Sequence, residues 1–396
     1  MRSTQSKPEG AHLSYREKRE GRRDNKVHAV GHPLAPIGMG EHVRSVWRAL
    51  DAVGVETGIV DIYGPQGTPD AELSAQYASM ITPQLGDGVN IFCINGDEIV
   101  QALGVLSKRN PMSKGSRNVI YPAWELESYP VEWAKQLERF DEVWAPSAFI
   151  RDAIEKAVDI PVVHMPLACE VKRRALRSRR HFGIRESSYT FFFAFDFLSY
   201  VERKNPFAVI EAFRALTVER PYDDVALVIK TNNAGRRPEM KARFDAAIAP
   251  LRDRVRVIDG TLSDLEMKSL IWLTDCFVSL HRSEGFGRGL SEAMALGKPV
   301  IATAYSGNMD FCNEETAYLI PYDLIDVHAG EYPHWEAQCW ADPDVEAATR
   351  VMRDLVDNPG KGRDIGARAR MHLASHFSFL AIGNQYAGRI RDMKFD

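Results

Sequence analysis

The residues best able to do chemistry in this 396-residue chain are concentrated in Ser283-Glu-Gly-Phe-Gly-Arg-Gly-Leu-Ser-Glu292, in Ala293 to Thr303, and in Tyr305-Ser-Gly-Asn308. Gly285, Gly287 and Gly289 let a backbone turn closely past a ligand, and the helix expected after them offers free N–H groups to a phosphate. Glu284 falls in the loop, and Glu292 lies eight residues later, about two helical turns along on the same general side. Two acids at that spacing more often sit on a solvated helix face. What makes the arrangement specific is the sequence of strand, glycine turn with one Glu, helix with the other, and a second strand ending in Ser306-Gly-Asn308. His281, directly before this loop, could hydrogen-bond a ligand or be a buried structural histidine. His372 and His376 have the spacing of a metal pair, but no Glu follows His372 as in H-E-x-x-H, so no metal site is expected there.

Such a loop needs strands and helices to aim it. The apolar run Val27 to Val30 reaches Gly31, passes through His32 to Gly40, and enters the helical pattern Val43, Val46, Trp47, Leu50. Strand candidates come next at Glu56–Ile62, Val89–Ile94, Asn118–Tyr121, Glu142–Ala145 and Val162–Met165, each followed by polar or helical sequence. Strands alternating with helices imply a parallel sheet covered on both faces. The basic stretch Lys172 to Arg180 interrupts the pattern and reads as an inter-domain linker, taken as 173–188. Beyond it come strands at Thr190–Phe195, Val225–Lys230, Val255–Ile258, Cys276–Leu280 and Pro299–Thr303, with helices between them. The fold class is therefore α/β, with two Rossmann-like doubly wound domains, 26–172 and 189–376, facing across a cleft where open α/β sheets bind ligands. Residues 1–25, charged and almost free of aliphatic side chains, are expected to be a disordered tail.

Composition narrows the function classes. With 50 Lys+Arg against 54 Asp+Glu, nothing global argues for wrapping nucleic acid, and any anion site must be local. Five cysteines without a C-x-x-C pair, no apolar run long enough to span a bilayer and no signal-peptide core give an expected cytoplasmic location, with peripheral membrane contact through the basic stretch left open. A G-x-G-x-x-G fingerprint is missing, which argues against a nicotinamide cofactor.

The 284–292 block resembles the hallmark of the family 4 retaining glycosyltransferases of the GT-B fold, Glu, seven residues, Glu in an E-G-F-G context, and the likeness runs from about Val27 to the C-terminus. The resemblance implies that Glu284 lies beside the hydroxyls of the transferred sugar, that Glu292 holds the nucleotide ribose, and that Gly285, Phe286 and Gly287 shape the sugar pocket. Asp196-Phe-Leu-Ser-Tyr-Val-Glu-Arg-Lys-Asn-Pro206 is similar to the family's basic loop, making Arg203 and Lys204 the groups that stabilise a departing nucleoside diphosphate. Many relatives carry a further Arg a few residues earlier, where this chain has Asp196-Phe-Leu-Ser199. Lys230, Thr231, Ile258, Gly260 and His281 match donor-side positions, and Gly38-Met-Gly40 resembles the glycine loop near phosphates and acceptor. Tyr121-Pro-Ala-Trp-Glu-Leu126 looks like a branch that builds bacterial surface polysaccharides, which would put Trp124 and Glu125 at the acceptor, although core packing accounts equally well for Trp124. In relatives a terminal helix, here within 377–396, crosses back to complete the N-terminal domain.

The implied activity is retaining, metal-independent transfer of a hexose, with a lean to mannose, from a nucleoside diphosphate sugar to a glycan or lipid-linked glycan. No cofactor is expected. The alternatives are a nucleotide-sugar epimerase of the same fold and a non-catalytic nucleotide- or glycan-binding subunit of a polysaccharide assembly complex.

Overall fold

The computed structural model describes residues 27–64, 71–109, 111–171 and 177–393. The tail expected over 1–25 and most of the Lys172–Arg180 stretch lie outside the described residues. The first sheet comprises β1 (Val27–Gly31), β2 (Thr57–Asp61), β3 (Val89–Phe92), β4 (Arg117–Ile120), β5 (Glu142–Ala145) and β6 (Val162–His164), all parallel, in the order β2-β1-β3-β4-β5-β6. The second comprises β7 (Tyr189–Asp196), β8 (Val225–Asn232), β9 (Val255–Asp259), β10 (Cys276–Ser279), β11 (Val300–Thr303) and β12 (Tyr318–Ile320), in the order β9-β8-β7-β10-β11-β12. That is the 3-2-1-4-5-6 pattern of a doubly wound domain, with its order reversing between β7 and β10.

Why β7 is central is legible in its side chains. Phe191, Phe193 and Phe195 point to one face and join the core beneath helix Pro206–Glu219, while Phe192 points to the other and meets Phe277 at a ring separation of 5.5 Å. A strand that is aromatic on both faces has to be covered on both.

The helix Phe379–Asp392 leaves the second domain and packs on helix Gly38–Ala52 of the first. Gly383 permits the contact, since a Cβ there would stand 2.0 Å from the Ala49 carbonyl oxygen. Tyr386 is fully buried and donates to the Pro166 carbonyl at 2.8 Å, and Arg389 forks onto Glu142. Burial of Tyr386, Ile382 and Ile390 supplies roughly 1.5–3 kcal/mol per side chain.

An element absent from the sequence reading is the hairpin of β13 (Tyr322–Asp326) and β14 (Cys339–Pro343), which pair antiparallel. Its arm crosses to the first domain. Val327, Tyr332 and Trp340 are buried in the same cluster as Trp124, Tyr129 and Ile150, and Gln338 makes a two-way amide contact with the Ser128 backbone at 2.8 and 3.1 Å. Among the described residues no helix is long and apolar enough to cross a membrane.

Candidate active site

The loops after β7 and β10 leave the sheet at its switch point, where neighbouring strand ends diverge and open a crevice. After β7 the Asp196 carboxylate accepts the Leu198 N–H at 2.8 Å, and Tyr200 (φ 59°) and Asn205 (φ 51°) bracket the single helical turn Val201–Lys204. Those left-handed positions turn Arg203 and Lys204 back toward the β10 loop. The Arg203 carbonyl accepts the Arg282 N–H at 2.8 Å, fixing one loop against the other.

Glu284 is the meeting point. Lys204 Nζ lies 2.5 Å from its Oε1, and Arg203 Nη1 lies 3.4 Å from its Oε2 while donating to the Ser283 carbonyl at 3.0 Å. Burial alone would raise the Glu284 carboxyl, but Lys204 and Arg203 outweigh it and hold it at about 2. The Lys204 ammonium is drawn below the ordinary lysine range by burial, against the opposing pull of Glu284. Across the cleft, Glu125 Oε1 stands 3.8 Å from Arg203 Nη1, and Tyr332 of the hairpin arm donates its hydroxyl to the other Glu125 oxygen. Arg203 therefore faces carboxylates from both domains.

The glycine loop is held by close approaches. Ser306, at φ 72°, accepts the Glu284 N–H on its hydroxyl at 2.8 Å, and the Gly307 N–H donates to the Glu284 carbonyl at 2.8 Å. A Cβ on Gly307 would stand 2.0 Å from the Gly285 oxygen, and one on Gly285 would stand 2.8 Å from the Trp124 oxygen of the opposite domain. Ser147 donates its hydroxyl to the Gly285 carbonyl at 2.6 Å, so the first domain also grips the loop. Gly287, at φ 92°, starts helix Arg288–Ala295. Glu292 on that helix pairs with Lys268 Nζ at 2.6 Å.

Two cavities adjoin here. The smaller, ≈390 Å³, is walled by Glu125, Lys204, Arg203, Glu284 and the Gly285-Phe-Gly287 turn. The larger, ≈670 Å³, is walled by Glu292, Lys268, Leu262, Leu265 and, from the first domain, Glu41 and Arg48. Glu284 and Glu292 thus occupy separate chambers.

Other residues singled out in the sequence fall differently. Gly38, at the start of its helix, walls both cavities; Gly40 walls neither and instead permits a tight loop, its Cβ position being 2.2 Å from the Ala35 oxygen. Trp124 does not face the acceptor side. It is 1 % exposed, donates to the Ser128 carbonyl and packs edge-on against Tyr129, Trp133 and Tyr332. His281 does not reach the donor side either: it is fully buried, with Nδ1 3.0 Å from Ser279 Oγ and Nε2 2.9 Å from Asn308 Oδ1, and burial lowers its pKa, favouring the neutral ring. Lys230, Thr231, Ile258 and Gly260 sit at the ends of β8 and β9 and wall neither cavity. Lys230 Nζ is spent on the Thr231 carbonyl and Asn232 Oδ1, Thr231 Oγ1 bonds Asp259 at 2.9 Å, Ile258 is a half-buried packing residue, and Gly260 supplies a φ of 117°. Sequence reasoning missed Lys268 and Tyr332. Lys268 had a signal, its place four residues after Asp264 on a capped helix, but its Glu292 partner is visible only in three dimensions.

With that geometry in place, residues 178–329 match the family described as "Glycosyl transferases group 1". They form a glycosyltransferase domain. Among solved structures, HepE of Anabaena in complex with UDP-glucose is similar at a TM-score of 0.67 and 13% identity, covering 93% of this chain and 100% of that one. Sucrose-phosphate synthase of Thermosynechococcus elongatus is similar at 0.63 and 17% identity, with 93% and 98% covered. A glycosyltransferase of Rickettsia africae is similar at 0.64 and 13% identity, with 94% and 99% covered. These likenesses give the described residues the GT-B fold. No curated protein matches the sequence.

Proposed function

We propose that this glycosyltransferase moves a hexose from a nucleoside diphosphate sugar to a hydroxyl of a glycan or lipid-linked glycan, with retention at the anomeric carbon. The observation that carries the reading is the Arg203, Lys204 and Glu284 cluster at the switch point, one chamber away from the Glu292 and Lys268 pair. A nucleotide sugar has the length and the alternation of chemistry to span them, ribose hydroxyls on Glu292 and sugar hydroxyls on Glu284. An ionised Glu284 accepts hydrogen bonds from those hydroxyls, and because two cations already neutralise it, it does not repel the neighbouring diphosphate.

In the reaction we propose, the bond from the anomeric carbon to the diphosphate oxygen breaks on the same face on which the acceptor oxygen attaches. The acceptor proton goes to an oxygen of the departing β-phosphate. Lys204 and Arg203 donate to the developing negative charge, the service a metal would otherwise perform. Glu125, on the opposite wall and oriented by Tyr332, is the acceptor-side carboxylate. For the sugar we propose mannose first, from the likeness of 121–126 to a polysaccharide-building branch, with glucose next, since UDP-glucose is bound in the HepE structure.

The test is thermal unfolding in UDP, GDP, ADP, their sugars and NAD. A ligand at about 100 times its dissociation constant stabilises by roughly 2.7 kcal/mol. Stabilisation by one nucleoside diphosphate and its sugar, followed by transfer of that sugar, is the expected result; binding without turnover, or epimer formed from donor alone, would refute the transfer reading.

A further inference from the structure

Arg288 takes no part in the Glu284 cluster or in the Glu292 and Lys268 pair. It is the first residue of helix Arg288–Ala295, and among the described residues it shares with only Ile37 and Gly38 the position of walling both cavities. Glu284 walls the smaller cavity alone and Glu292 the larger alone. A ligand whose sugar meets the first and whose ribose meets the second must carry its diphosphate across the boundary where Arg288 stands.

The guanidinium there is under-engaged. Among the described residues its Nη2 is buried without a hydrogen-bond partner, and its nearest carboxylate, Glu41 Oε1, is 4.0 Å from Nη1 and already serves Arg48, while the other Glu41 oxygen serves Arg44. Beside it His42, 2 % exposed and walling the smaller cavity, has a buried Nε2 that also has no partner among the described residues. Buried polar nitrogens are nearly always satisfied, and an unsatisfied guanidinium N–H at the cavity seam, with an unsatisfied imidazole nitrogen in the cavity beside it, points to a ligand with acceptor oxygens. The stretch Asp196-Phe-Leu-Ser199 on the facing loop contributes no cation, so Arg203 and Lys204 are the only cations that loop brings to the smaller cavity.

We propose that Arg288, with His42 behind it, is the residue that holds the donor's diphosphate at the seam, its guanidinium donating to the phosphate oxygens. This role rests on the proposed donor site. The planar fork of an arginine matches two phosphate oxygens at once, which a lysine cannot reproduce.

Calorimetric titration tests it, using whichever of UDP, GDP or ADP binds the wild-type protein together with the corresponding monophosphate. Arg288→Met should weaken the diphosphate by about 10- to 100-fold and the monophosphate far less, and Arg288→Lys should recover part of the loss. Glu41→Gln, which removes the competing carboxylate, should tighten the diphosphate and keeps the inference testable if Arg288→Met does not fold. Equal losses for mono- and diphosphate, or no loss in Arg288→Met, would overturn the role of Arg288 while leaving the donor site standing. A wild-type protein that binds none of the three diphosphates would overturn the donor site itself, and this inference with it.

Discussion

At the level of single residues, the charges around Glu284 are fixed before any substrate arrives. Lys204→Ala should leave the fold intact and raise the transfer barrier by about 3 kcal/mol, roughly a hundredfold in turnover, because in the proposed reaction the lost charge acts on the departing diphosphate. Unchanged turnover in that variant would remove Lys204 from the mechanism. Glu284→Ala should lower turnover at saturating donor, whereas Glu292→Ala should chiefly raise the donor KM, and kinetics in which the two patterns are exchanged would mean the chambers hold the donor the other way round. The pH behaviour has its origin in the same charges. Glu284 and Glu41 are held at about 2, with burial opposed and outweighed by Lys204 and Arg203 for the first and by Arg48 and Arg288 for the second; His42 is pushed down to about 3 by burial and Arg288. Sugar-nucleotide binding should therefore not decline from pH 7 to 5 and should fall on the alkaline side, as Lys204 loses its proton below the usual lysine range. A decline from pH 7 to 5, measured by calorimetry, would contradict this. Because Glu284 is depressed on folding, its contribution to stability is complete above the ordinary carboxylate value of 4.5 and is lost as the pH falls through about 2.

Among the secondary-structure elements, two devices hold the halves in register. One is the terminal helix: Gly383→Ala would drive a methyl into the Ala49 carbonyl, so it should undock Phe379–Asp392 and lower the melting temperature, while Leu380→Ala on the exposed side of the same helix should change it little. Equal melting temperatures for the two variants would mean that the close contact is not what seats the helix. The other is the hairpin arm, where Gln338→Ala would strand the Ser128 N–H and leave the Ser128 carbonyl to the Trp124 indole N–H, and should cost about 1–3 kcal/mol by denaturant unfolding. The strands of both sheets other than β12 are legible because each is a short apolar run bounded by turns. The hairpin is not. Tyr322, Asp323, Leu324, Ile325 and Asp326 are mostly exposed, so β13 lacks the buried alternation that marks a half-covered strand, and the aromatic residues of the arm are buried by a different domain.

For the molecule as a whole, the cleft is a product of topology. Each sheet reverses its order once, the Glu284 loop springs from the reversal in the second, and the first domain closes on that loop through Ser147 and Glu125. The Glu284, Arg203 and Lys204 cluster could be named from sequence because its loops carry glycines and cations in a spacing that resembles a known family. For Trp124 and His281 the sequence leaves ligand and core readings open, because an aromatic ring or an imidazole beside a site reads alike in either place, and their burial favours the core. Lys230, Thr231, Ile258 and Gly260 match donor-side positions in sequence, and in the assembled sheet they lie at strand ends one and two places beyond the switch point and wall neither cavity. Retaining transfer driven by Lys204 is tested most sharply by proton NMR of the sugar first released when the protein acts on an α-linked nucleoside diphosphate hexose, such as GDP-mannose or UDP-glucose. Release of the α-anomer before mutarotation, lost in Lys204→Ala, is the predicted result; first release of the β-anomer, or release that Lys204→Ala leaves untouched, would contradict it.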